Sequence, residues 1–149
     1  MRWIWIIFGA LAGIIGLVAL TGAMLPVAHV ATRSVRFRQP PEAVWNALSP
    51  GTSQRQFRQD DVNYEVTESV PNRKLVTRIA DRNLPYGGSW TYEIQPESGG
   101  SSLRITESGE VYNPVFRFVS RFIIGHTATI DAGLKTLGAK LGETVAIEN

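Results

Sequence analysis

The chain has 149 residues, with 15 Lys and Arg against 13 Asp and Glu, two histidines and no cysteine. A net charge of +2 without any basic run argues against nucleic-acid binding. The missing cysteines exclude disulfides and thiol catalysis, two histidines are too few for a histidine-rich metal site, and no metal or cofactor is implied.

Residues 3–25, WIWIIFGALAGIIGLVALTGAML, carry no charged side chain. A helix over this run reaches roughly 34 Å, enough to cross a hydrocarbon core of about 30 Å. The apolar stretch is longer than the roughly 7–15 residues of a secretory signal, and its basic start is thin, although Thr21-Gly22-Ala23 is a passable cleavage site. The expectation is therefore a single-pass membrane protein held in the bilayer through residues 3–25, with Trp3 and Trp5 in the headgroup region. Gly9 and Gly13 form a GxxxG that permits weak self-association, against the plainer reading of ordinary small-residue usage. Arg2 lies before the span and Arg33, Arg36 and Arg38 lie after it, which leaves the side of the soluble part undecided. The expected division is an anchor and linker at 1–29 and one domain at 30–149.

PVAHVAT (26–32) reads as a short neutral linker. SVRFR (34–38) alternates as a half-buried strand, with Val35 and Phe37 on one face. Gln39-Pro40-Pro41-Glu42 stops it and opens a short helix over AVWNAL (43–48). Gly51–Asp61 is polar and reads as a loop or irregular turn. Strand-like pieces follow at 62–70, 74–81, 88–96 and 101–112, separated by turn residues at 71–73, 84–87 and 97–100. Such short connections predict antiparallel hairpins. Asn113 and Pro114 then suit a helix start, and Ile130, Leu134, Leu137 and Leu141 recur as an amphipathic stripe. Projected backwards through Ile123 and Phe116, that stripe predicts one helix from about 115 to 142, with a bend at Gly125. The class is α+β: a curved antiparallel sheet burying the stripe of a long C-terminal helix, preceded by one transmembrane helix.

SVRFRQPPEAVWNALSP, then GGSWTYEIQPESGGSSLRITESGEVYNPVFRF, then the terminal helix resemble the polyketide cyclase/dehydrase and lipid-transport family of the SRPBCC, START-like (Bet v 1-like) superfamily, over roughly residues 32–142. The most telling pieces are Pro41 to Trp45 and the hairpin from Trp90–Tyr92 to Thr106–Glu107. The resemblance implies the helix-grip fold, often with an apolar cavity between sheet and helix. It implies no universal catalytic signature. The anchor and the short Gly51–Asp61 region depart from the family pattern.

Strand parity puts Trp90, Tyr92 and Ile94 on one face of their strand, and Leu103, Ile105 and Glu107 on the apolar face of the next strand. Glu107 is thus a carboxylate among apolar neighbours, which costs free energy unless it is paired or hydrogen-bonded. Two kinds of reading stand: a ligand-orienting or acid/base group, or a structural position, either paired with an arginine or at a sheet rim open to water. His126, beside the helix stripe, makes a second acid/base candidate or a histidine at the cavity edge. The expected cavity lining is Trp90, Tyr92, Leu103, Ile105, Glu107, Tyr112, Phe116, Ile123 and Ile130. No GxSxG, HExxH, CxxC or GxxxxGK[ST] is present, so an enzyme is the lesser expectation. Three functions follow in order: a membrane-anchored domain binding a hydrophobic small molecule or lipid; a cyclase- or dehydratase-like enzyme using Glu107 and His126; and a filled, non-binding scaffold beside the membrane.

Overall fold

The computed structural model describes residues 2–48, 56–59 and 62–148. Helix α1, Arg2–Met24, has no charged residue beyond Arg2. Among the described residues it is the one helix long and apolar enough to cross a membrane, with a mean hydropathy of 2.4 and none of its apolar window buried. Strand β1, Ala28–Phe37, begins almost at once. The linker expected at 26–32 is therefore mostly strand. Ala28, His29 and Val30 pair with Glu110, Gly109 and Ser108, and the Val111 N–H donates to the Val27 carbonyl at 2.9 Å. Backbone pairing decides here, because the inward residues His29 and Ala31 are too small or too polar to show an alternation.

Helix α2, Pro41–Leu48, has Pro41 and Glu42 in its first turn and buries Val44 and Trp45. Strand β2, Gln56–Gln59, falls inside the stretch expected as a loop; the rest of Gly51–Asp61 lies outside the described residues. Strands β3 (Val62–Val70), β4 (Lys74–Ile79), β5 (Tyr86–Glu97) and β6 (Gly100–Val111) follow as antiparallel neighbours. Strand β7, Ile147–Glu148, joins the free edge of β1, and the sheet order is β2-β3-β4-β5-β6-β1-β7.

The C-terminal helix departs from its expected continuity. Helix α3, Pro114–Val119, starts at Asn113, whose side chain accepts from the Val115 and Phe116 N–H groups. It runs into a π-helical turn, Ser120–Ile124, closed by the Gly125 N–H to the Ser120 carbonyl at 3.0 Å. Gly125 has φ 83°, a left-handed conformation that ends the helix outright. Helix α4, Ala128–Lys140, then starts on a new axis. Only the α4 half keeps the inward stripe: Ile130, Leu134 and Leu137 join Val35, Phe37, Val44, Trp45, Leu75, Ile94, Leu103 and Ile105 in the core. Burying each such side chain contributes about 1.5–3 kcal/mol. The α3 half packs against α1 instead.

Candidate functional site

A cavity of about 430 Å³ lies between the sheet and α4. Trp90, Tyr92 and Ile105 form its sheet wall, and Ile130, Gly133 and Leu137 its helix wall. The wall follows from register: Trp90 faces Glu107 across β5 and β6, and Tyr92 faces Ile105. Tyr64 stands edge-on to Trp90, with ring centroids 5.7 Å apart. Burial pushes the Tyr92 phenol up to about 12, an effect that Tyr64 and Glu107 reinforce and a hydrogen bond with Thr77 opposes. Tyr92 is therefore an uncharged polar group in an apolar wall. Thr129, Thr136 and Lys140 supply the remaining polar lining.

A polar cluster lies beside this wall, on the same face of the sheet. Glu107 is buried, at 7% exposure. Its Oε2 accepts the Trp90 indole N–H at 2.9 Å, and its Oε1 lies 3.5 Å from His29 Nε2. The His29 ring stacks on His126 at 4.0 Å between centroids, and His126 Nδ1 lies 3.5 Å from Ser120 Oγ. Gly109, opposite His29, leaves the ring its space: a Cβ there would run into the imidazole. Burial, the His29 ring and Arg121 together lower the His126 pKa below the ordinary histidine value.

The histidines open onto a second cavity of about 320 Å³ where α1 meets the domain, lined also by Leu25, Val27, Arg117 and Arg121. Arg117 bridges this junction, donating to the Leu25 carbonyl at 2.8 Å and to the Tyr112 carbonyl at 3.1 Å.

Of the residues read from sequence as cavity lining, Trp90, Tyr92, Ile105 and Ile130 do line the larger cavity. Leu103 is fully buried core. Glu107 does not line it and is held beside Trp90. Tyr112 lies outside, exposed and donating to Glu110 Oε2 at 2.7 Å. Phe116 and Ile123 are exposed on α3 and its π turn, because the break at Gly125 turns that half away from the sheet. Glu107 meets His29 rather than an arginine, and His29 stands between it and His126. Asp131 pairs with Arg33 Nε at 3.1 Å and ties β1 to α4. Sequence reasoning missed His29, which sat in the supposed linker. Extending β1 back to Ala28 would have found it, since His29 shares parity with Ala31, the partner of Glu107.

No protein-family model matches the chain, and no curated protein matches it. Solved structures do. Protein MLL2253 of Mesorhizobium loti is 19% identical with a TM-score of 0.57, over 76% of this chain and 97% of that one. CalU16 of Micromonospora echinospora is 16% identical with a TM-score of 0.59, over 76% and 74%. Protein CV1439 of Chromobacterium violaceum is 18% identical with a TM-score of 0.52, over 80% and 100%. The chain has the helix-grip fold. At these identities the likeness is one of fold alone.

Proposed function

We propose that the chain is a membrane-anchored carrier or sensor that holds one hydrophobic small molecule or lipid chain between the sheet and α4. The cavity of about 430 Å³ carries this reading. Its size falls within the range of about 300–1,000 Å³ typical of small-molecule sites. Aromatic and aliphatic walls supply burial, and the uncharged Tyr92 supplies one polar contact for orientation. A filled scaffold would lack this space. The acid/base reading draws less support: both Glu107 oxygens are engaged, by Trp90 and by His29, and Glu107 does not line the cavity.

Anchoring by α1 is part of the proposal. Length and apolarity support it. So does the packing of α1 on α3, which cleavage after Ala23 would abolish. A tether keeps an apolar site beside the phase where its ligands concentrate. Weak pairing of two anchors through Gly9 and Gly13, both with open space at Cβ, belongs to the same proposal.

Native mass spectrometry of the full chain released from lipid nanodiscs tests the reading. The expected result is one retained lipid-sized mass on the wild type and none on Gly133→Leu, whose side chain would fill the cavity from α4. Equal retention by both proteins places the lipid elsewhere, and a bare wild-type chain removes the binding reading.

A further inference from the structure

The segment from Pro114 to Ile124 ends unpartnered. Phe116 is 52% exposed, Phe122 59%, Ile123 71% and Ile124 62%. Four large apolar side chains within eleven residues form a patch that a domain surrounded by water rarely keeps. The patch is continuous with α1. Gly22, in the last turn of α1, approaches Pro114 so closely that a Cβ would collide with the Pro114 backbone. If α1 spans the bilayer, its 23 residues reach roughly 34 Å, so its last turn stands at the edge of a hydrocarbon core of about 30 Å. The start of α3 is held at that depth.

The charges on the segment suit this position. Arg117 and Arg121 are its only charged residues. Both line the junction cavity together with His29 and His126. Arg117 Nε is buried without a hydrogen-bond partner among the described residues. One side of the segment is therefore basic and the other apolar, the division found in helices that lie in a lipid interface.

We propose that residues Pro114–Ile124 form a second membrane contact. Phe116, Phe122, Ile123 and Ile124 enter the interfacial lipid beside the end of α1, and Arg121 meets headgroup phosphates. The occupant of the patch is the bilayer that α1 crosses, so the inference rests on the anchoring reading. Two contacts fix the tilt of the domain on the membrane, where a tether alone would leave it free.

The chain has no cysteine, so single cysteines carry unambiguous labels. The full chain in phosphatidylcholine–phosphatidylglycerol vesicles is labelled with an environment-sensitive fluorophore at Ile123→Cys or Phe116→Cys. Leu11→Cys reports the anchor. Ser98→Cys, at the β5–β6 turn remote from Val111, reports water. Quenching by doxyl-labelled lipid is expected to be several-fold stronger at 123 and 116 than at 98, and strong at 11. A label at 11 that is quenched while those at 123 and 116 behave like 98 overturns the second contact and leaves the anchor standing. A label at 11 that stays in water removes the anchoring reading and the second contact with it.

Discussion

Trp90 donates its indole N–H to Glu107 at 2.9 Å, and the two residues face each other directly across β5 and β6. The bond joins two features that the fold otherwise keeps apart. The Trp90 ring is a wall of the cavity, while the second Glu107 oxygen turns to His29 at the α1 end of the sheet. Glu107 thus fixes the cavity wall from the side. Glu107→Ala leaves an indole N–H and an imidazole without a partner in a buried setting, which costs about 1–3 kcal/mol. Glu107→Gln retains an oxygen for the indole and is expected to lose less. Urea titrations of the three proteins check the order. An alanine variant as stable as the wild type would sink the structural role of this carboxylate.

Adjacent residues on α4 are expected to behave oppositely. Leu134 is fully buried, so Leu134→Ala costs about 2–5 kcal/mol by leaving a void. Gly133 lines the cavity and has nothing within 4 Å of its Cβ position. Gly133→Leu therefore keeps or raises stability, since glycine inside a helix costs up to about 1 kcal/mol. Binding should move the other way, abolished by Gly133→Leu. Thermal melts read beside ligand retention separate the two effects, and a Gly133→Leu protein that unfolds would contradict the open cavity.

The hairpins, the short helix after the paired prolines and the stripe from Ile130 to Leu141 were legible in sequence, because turn residues and apolar spacing are local properties. Parity put Trp90, Tyr92 and Ile105 on inward faces, but the cavity itself was implied only by the resemblance, and parity alone did not separate Ile105 from Leu103 and Glu107. Two features were not legible. The first half of β1 takes its conformation from pairing with β6, and nothing in PVAHVAT announces a partner nearly eighty residues away. The end of α3 depends on the positive φ at Gly125, and a glycine in an apolar helical pattern equally suits a mild bend. The first miss hid His29. The second sent Phe116 and Ile123 to the wrong side of the molecule.

Stability is expected to fall in mild acid, with a specific cause. Burial first, then the His29 ring and Arg121, hold the His126 pKa below its ordinary value. The unfolded chain therefore takes up a proton at a higher pH than the native state does. Stability is full above the unfolded value of about 6.5 and declines as pH falls from there toward the native value. The groups facing His126 are the His29 ring, stacked at 4.0 Å with Glu107 on its far side, and Arg117 and Arg121, which line the same junction. Urea midpoints from about pH 7.5 down to about pH 5 should drop for the wild type and drop less for His126→Gln. Parallel slopes for the two proteins would remove His126 as the source.

The junction between α1 and α3 depends on Gly22. Any side chain there meets the Pro114 carbonyl, which is backbone and cannot rotate aside. Gly22→Val should push the two helices apart and lengthen the Arg117 contact with the Leu25 carbonyl, now 2.8 Å. Gly16→Val is the matched control, since a Cβ there meets nothing within 4 Å. Limited trypsin digestion reads the difference at Arg117 and Arg121. Cleavage at these sites is expected to rise several-fold in Gly22→Val and to stay at the wild-type rate in Gly16→Val. Should both variants cut at the same rate, close packing at Gly22 is not what holds α3 beside the first helix.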